Sequence, residues 1–72
     1  MKRRFEFVEG TSSKFYEVEV SGNAVSVTFG RIGTAGQTQA KHFANAAEAQ
    51  KHADKQIAQK LKKGYVELKV AV

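Results

Sequence analysis

The sequence predicts a small α+β domain, in which an antiparallel sheet of four to five strands carries one helix on one of its faces. Several short segments alternate polar and apolar residues, as strands with one buried face do. One later segment instead repeats apolar residues every three or four positions, which is typical of a helix lying on a sheet. A chain of 72 residues is long enough for one such domain, so we expect a single unit over residues 1–72.

The first predicted element is a strand over Arg4–Glu9, where Phe5 and Phe7 fall on the same face. It is followed by a glycine, a threonine and two serines, which predict a turn or short loop over Gly10–Ser13. The chain then enters the segment with the clearest pairing signal.

That signal is a two-residue hairpin loop at Gly22–Asn23. Setting Ser21 opposite Ala24 brings apolar residues together on one face and glutamates opposite hydroxyl residues on the other. The apolar pairs are Val20 with Val25, Val18 with Val27, and Tyr16 with Phe29. A shift of one residue would destroy this agreement, so the pattern predicts one register. On this face Phe29 is either a core residue or an exposed ring at the rim of the sheet.

The second half of the chain predicts a strand, a helix and a final extended segment. The strand covers Thr38–Phe43. Asn45, with an acidic residue three positions later, predicts the N-cap of a helix over Ala46–Lys63, and Gly64 suits its C-terminal end. Tyr65–Val70 alternates again and predicts either a short last strand or an extended tail. The apolar stripe of the helix is Ala46, Ala49, Ala53, Ile57 and Leu61.

The net charge of +5 is unevenly distributed along the chain. Residues 1–29 hold four basic and four acidic side chains, whereas residues 30–72 hold eight basic and three acidic ones. Such an excess favours a polyanionic partner, although a merely solvated basic surface would look the same. The lysines Lys60, Lys62 and Lys63 likewise either complement the negative end of the helix dipole or contact phosphates.

Catalytic and metal-binding patterns are missing from the sequence. Covalent catalysis needs a nucleophile beside an oriented base, and the chain has no cysteine. Glu48 and His52 stand one helical turn apart, but such a pair is usually a surface pair. Metal sites need three or four converging ligands, so no metal, cofactor or catalytic residue is predicted. No apolar run is long enough for a membrane span, and the cytoplasm is the expected location.

The stretch Phe29–Gln37 holds three glycines within seven residues and predicts a glycine-rich hairpin tip. Phe29 and Arg31 share a strand face there, which suits ring stacking combined with a phosphate contact. The stretch resembles the signature of the WGR domain, with Phe29 where the family has tryptophan. The similarity covers about residues 14–65, and its other parts are Lys14–Val18, Lys41–Phe43 and Lys60–Tyr65.

The WGR domain occurs in DNA-dependent poly(ADP-ribose) polymerases and in bacterial proteins that resemble a molybdate-metabolism regulator. In the polymerases it contacts DNA near a break, where its tryptophan stacks close to a strand terminus and its arginine contacts DNA and neighbouring domains. Carried over by position, Phe29 would stack and Arg31 would be the cationic partner. Phenylalanine keeps a π face but lacks the indole N–H donor.

The resemblance implies a stand-alone, bacterial-type module that binds nucleic acid, with DNA favoured over RNA, and that has no catalytic activity of its own. The candidate contact residues are Phe29, Gly30, Arg31, Lys14, Lys41, Lys60, Lys62 and Lys63.

A second interpretation is a protein-interaction or regulatory module, which docks a basic surface onto an acidic protein and binds no nucleic acid. The two interpretations differ in the placement of charge. Nucleic-acid binding predicts that the cations cluster on one face, whereas the second interpretation predicts that they are dispersed; the cations concerned are Arg31, Lys41, Lys60, Lys62 and Lys63. The sequence does not decide whether the bound nucleic acid is a duplex or a single strand, or whether the protein is a monomer or a dimer.

Overall fold

The computed structural model describes residues 2–68. Within that range one antiparallel sheet contains five strands, in the spatial order β4-β3-β2-β1-β5. The strands are β1 (Lys2–Glu9), β2 (Ser12–Ser21), β3 (Ala24–Arg31), β4 (Gln37–His42) and β5 (Val66–Leu68), and the helix α1 (Ala46–Lys62) lies between β4 and β5 in the chain. The predicted α+β fold is therefore confirmed.

The predicted register of the central hairpin is also confirmed. Val20 pairs with Val25, Val18 with Val27 and Tyr16 with Phe29. The helix packs on this face, where its small alanines allow it to lie close to β2 and β3. The buried cluster between sheet and helix consists of Phe5, Tyr16, Val18, Val25, Ala49, Ala53 and Ile57.

Both tight turns of the sheet begin with a glycine. Gly10 and Gly22 each have a φ of +59°, and no non-glycine residue among those described has a positive φ. A glycine at the first loop position fits a II′-type hairpin turn. The first loop is shorter than predicted, because Ser12 and Ser13 already pair with β1 and belong to β2.

Asn23 links the tip of the central hairpin to the segment that leads into the helix. Its Nδ2 donates a hydrogen bond of 2.8 Å to the carbonyl oxygen of Phe43, whose amide donates to the Asn23 carbonyl at 2.8 Å. These two bonds hold the end of β4 against the β2–β3 turn. They therefore help to set where α1 begins above the sheet.

The helix ends are formed as predicted, but its apolar stripe is only partly buried. The amide of Glu48 donates to Asn45 Oδ1 at 2.9 Å, and Gly64 adopts a φ of +106° just beyond the C-cap Lys63. Ala46 is exposed and the side chain of Leu61 is 46% exposed, contrary to the predicted stripe. The reason is that only the middle turns of α1 lie over β2 and β3.

The last predicted strand is confirmed over Val66–Leu68, which pairs with β1 at the edge of the sheet. Residues 69–70 of the prediction lie outside the described residues. Because β4 forms the other edge, the helix crosses the sheet from one edge to the other. It packs mainly on β2 and β3, and all residues of β4 are exposed, so the helix-side face of β4 is left uncovered.

A small second core forms on the face opposite the helix. Phe15 is only 3% exposed there, although the alternating pattern assigns it to the polar face. The loop after β3 folds back over its ring, and the Arg4 guanidinium lies 4.6 Å from the ring centroid on the same face. A Cβ atom at Gly36 would lie 2.7 Å from Phe15 Cζ, and one at Gly30 would lie 2.8 Å from Gly36 Cα. These two glycines therefore permit the close packing of the loop.

We expect Gly36→Ala to destabilise the domain more than Gly33→Ala. Both glycines have positive φ, at +72° and +95°, so both variants carry backbone strain. Only at Gly36 would the new methyl group also meet packed atoms, whereas nothing lies within 4 Å at Gly33. Overpacking of this kind costs about 1–3 kcal/mol. Urea unfolding of the two variants measures the difference, and equal free energies of unfolding would contradict the packing role.

Candidate functional site

A cleft of about 1020 Å³ lies on the helix side of the sheet, with walls from β2, β3, β4 and α1. It forms where α1 leaves part of the sheet uncovered. Four cationic side chains and several aromatic rings line it. We call it the basic cleft; its principal residues are Lys14, Tyr16, Phe29, Arg31, Lys41 and Lys60.

One end of the basic cleft is set by the pairing of β2 with β3. Lys14 lies directly opposite Arg31, and Tyr16 lies directly opposite Phe29. The period of two places all four side chains on the same face. Phe29 is half-buried against the core and also lines the cleft, so it serves the core and faces the cleft at once.

Lys60 reaches the cleft from the helix and lies between two tyrosine rings. Its Nζ is 4.8 Å from the ring centroid of Tyr16 and 5.5 Å from that of Tyr65. Burial lowers the pKa of Lys60, and the neighbouring charges of Lys63 and Lys14 lower it further. Burial also raises the pKa of Tyr16. The ammonium is thus held near other cations, in a position where an anion would relieve the repulsion.

The basic residues of the N-terminal strand are neutralised by ion pairs. Arg3 binds Glu67 with Nε and Nη2, both at 2.7 Å. Arg4 contacts Glu6 at 3.0 Å and Glu17 at 3.3 Å. Among residues 2–68, by contrast, no carboxylate forms an ion pair with a cation of the basic cleft. The four cations of the basic cleft therefore keep their full positive charge, as do other lysines of α1 among the described residues, such as Lys51, Lys55 and Lys62.

The structure brings together most of the predicted contact residues. Lys14, Phe29, Arg31, Lys41 and Lys60 all line the basic cleft, as does Gly30. The clustering expected of a nucleic-acid-binding surface is thus present for most of the cations.

Two other predicted lysines lie apart from the cleft wall. Lys63 borders a smaller adjoining hollow of about 450 Å³, together with Phe7, Lys14, Lys60 and Tyr65. Lys62 lines neither concavity. Successive helix residues are about 100° apart, which places Lys62 on the side of α1 opposite its buried residues. The helical period of the sequence could therefore have predicted that Lys62 lies outside the cleft.

The cleft residues that sequence reasoning missed include Tyr16, Gln39, His52, Gln56 and Tyr65. Tyr16 was assigned to the core alone, and Tyr65 to the last strand. The two helix residues stand four apart, which is the spacing of neighbours on one helix face, and this signal could have found them.

Within residues 2–68, no group of three His, Cys, Asp or Glu side chains is placed to hold a metal ion. The helix of this range lacks the length and apolar content needed to cross a membrane.

A comparison with protein families matches the WGR domain over residues 1–71. The chain belongs to the WGR domain family. The resemblance recognised in the glycine-rich stretch is therefore confirmed, and this is a family of nucleic-acid-binding domains.

The WGR match is supported by individual relatives. The chain is 48% identical to the protein YehF of Escherichia coli K12 over 65 residues, and 40% identical to the protein YfeS of the same strain over 67 residues. These alignments cover 90% and 93% of this chain, but only 24% and 28% of the two relatives. A crystal structure of a Bacteroides fragilis protein superposes with a TM-score of 0.93 at 52% identity, covering 96% of this chain and 20% of that one. The chain thus spans about a quarter of the curated relatives that it matches.

We expect the pKa of Lys60 to rise in this WGR domain when a neighbouring cation is removed. Lys63→Ala and Lys14→Ala each delete a charge that disfavours the Lys60 ammonium, so the pKa should move toward the ordinary 10.5. Lys55→Ala is the matched control, because Lys55 is exposed on the outer side of the same helix. An NMR pH titration of the lysine side chains measures the shift. An unchanged Lys60 pKa in both cleft variants would contradict the crowding of cations.

Proposed function

We propose that this WGR domain binds nucleic acid through the basic cleft, with DNA favoured over RNA, and that it acts as a binding module without catalytic activity. One observation carries the proposal: four cations with no ion pair among the described residues converge on a cleft that also exposes an aromatic ring. This combination suits a phosphate backbone with accompanying bases or sugars. The cytoplasmic location expected from the sequence remains a prediction.

The cleft offers two kinds of contact. Lys14 and Arg31 stand side by side at the end of the hairpin, and Lys60 faces them from the helix, so these cations can neutralise adjacent phosphates. The ring of Phe29 lies beside them and can stack on a base or sugar. Phosphate contacts position a ligand without reading its bases, so we expect micromolar affinity at best and little sequence preference.

The absence of a catalytic role is also part of the proposal. The chain has no cysteine, and within residues 2–68 neither histidine forms an ion pair with a carboxylate. The ring of His52 packs against Phe43 at a centroid distance of 4.9 Å. The amide of Glu48 donates to the helix N-cap. Among the described residues, neither histidine is therefore oriented by a carboxylate as a general base would be.

We expect charge-deleting variants of the cleft to weaken DNA binding and to flatten its salt dependence. Each phosphate contact contributes a log–log slope of about −0.9 on duplex DNA and about −0.7 on a single strand. Arg31→Ala and Lys60→Ala should each reduce the slope by about one contact. Fluorescence anisotropy of a labelled DNA at several salt concentrations measures both quantities.

Lys55→Ala and Lys62→Ala are the matched controls, since they remove the same charge from the outer side of α1. Both should bind nearly as the unmodified domain does. Equal losses at all four positions would indicate an unspecific effect of net charge. Binding to an acidic protein, with none to DNA or RNA at low salt, would instead establish the protein-interaction alternative.

We expect Phe29→Leu to weaken binding while the domain stays folded. Leucine keeps most of the apolar volume at this half-buried position, so the cost in stability should be below that of Phe29→Ala, which is about 3–5 kcal/mol for a fully buried ring. Loss of the π face removes stacking worth about 1–3 kcal/mol. Thermal unfolding and a DNA titration on the same sample separate the two effects. Unchanged affinity would show that Phe29 acts only in the core.

A further inference from the structure

A second pair of neighbouring residues, one cationic and one aromatic, lies at the end of the basic cleft away from the glycine-rich stretch. Lys41 and Phe43 are two residues apart, as Phe29 and Arg31 are, and Lys41 Nζ lies 5.6 Å from the Phe43 ring centroid. His52 packs against that ring with centroids 4.9 Å apart and, like Lys41, lines the cleft. Each end of the cleft thus combines a cation with aromatic rings.

The residue pair Lys41 and Phe43 lies far from the pair Phe29 and Arg31 along the strand direction of β3 and β4. Lys41 pairs with Val25, which is six residues before Arg31 on β3. At about 3.3 Å per residue, the rows of Lys41 and Arg31 are about 20 Å apart. Between them the cleft is lined by Gln39 and Gln56, whose amides can both donate and accept hydrogen bonds. The cleft is therefore an elongated trough with a cation at either end.

The position of the rings decides which form of nucleic acid can use this trough. Phe29 is half-buried on β3, which lies between β2 and β4 in the sheet. His52 belongs to α1, and its ring packs against Phe43. Inside a duplex each base face is covered by the neighbouring base pair, so an internal base cannot stack on a protein ring unless it leaves the helix. Only the terminal pairs expose a base face, and one such face cannot reach rings at both ends of the cleft. An unpaired strand has its base faces free, and aromatic rings beside a basic groove are its usual binding surface.

We infer that the basic cleft takes an unpaired nucleic-acid strand that spans both ends, with Lys41 and His52 forming a second phosphate-and-base site. The inference rests on the proposed function and names its ligand. A stacked strand advances about 3.4 Å per phosphate, so about 20 Å corresponds to roughly six nucleotides, and fewer if the strand is extended. This agrees with the lower part of the range of about 4–16 nucleotides found for other single-strand-binding clefts.

The first test compares ligand forms by fluorescence anisotropy at low salt. The probes are labelled oligothymidylates of three, six and ten nucleotides and a blunt duplex of twelve base pairs. Affinity should rise steeply from three to six nucleotides and then little further, and the duplex should bind at least tenfold more weakly than the six-nucleotide strand. A duplex that binds as tightly as the single strand overturns this inference and leaves the proposed function standing. No binding to any probe overturns both.

The second test addresses the new site itself. Lys41→Ala and His52→Ala should each weaken binding of the six-nucleotide strand about fivefold or more, as the loss of one stacking or phosphate contact does. His52→Phe keeps an aromatic ring and should restore the affinity, while Lys51→Ala on the exposed side of α1 should have little effect. Thermal unfolding of His52→Ala checks that its contact with Phe43 is not the cause.

NMR chemical-shift mapping gives an outcome that is independent of affinity. The six-nucleotide strand should perturb the amides near Arg31 and those near Lys41 and His52 in the same titration. Perturbation confined to the Arg31 end, together with unchanged affinity of the Lys41 and His52 variants, would overturn the second site.

Discussion

The pairing of β2 with β3 in one register is the constraint on which the other features depend. Because side chains alternate with a period of two, this register places Tyr16 and Phe29 on the helix side and Phe15 on the opposite side. It also places Lys14 beside Arg31, although like charges directly opposite one another are unfavourable. The apolar pairs along the same ladder, each contributing roughly 0.2–1 kcal/mol, offset that repulsion. The core of the domain thus holds the charges of the cleft in place.

Among residues 2–68, the cations of β1 form ion pairs with acidic side chains, whereas the cations of the proposed binding cleft do not. Acidic side chains neutralise the cations of β1, where Arg3 and Arg4 are held by glutamates. Two cations of the basic cleft lie against aromatic rings instead, Lys41 beside Phe43 and Lys60 beside two tyrosines. Contacts between an ammonium and a ring are worth about 0.5–1 kcal/mol at exposed sites, which lessens the cost of crowding the charges. A polyanion would remove that cost altogether.

The cleft exists because the helix covers only part of the sheet. The alanines Ala49 and Ala53 bring α1 close to β2 and β3, and a helix of this width does not also cover β4. The helix-side residues of β4 are therefore exposed, and Lys41 is among them. On the other face the glycine-rich loop folds over Phe15, which keeps the loop out of the cleft. Gly36 thus acts on the face of Phe15, while Arg31 lies on the helix side.

The sequence by itself determined the features that depend on neighbouring residues: the Gly22–Asn23 hairpin and its register, the Asn45 cap, and the shared face of Phe29 and Arg31. Their signals are spacings of two or three residues and the special backbone of glycine, which are local. Only the tertiary structure decided that Phe15 is buried and that His52 and Lys41 both lie against the ring of Phe43. Those features depend on how a loop folds back and where a helix crosses the sheet, and packing between distant segments sets both.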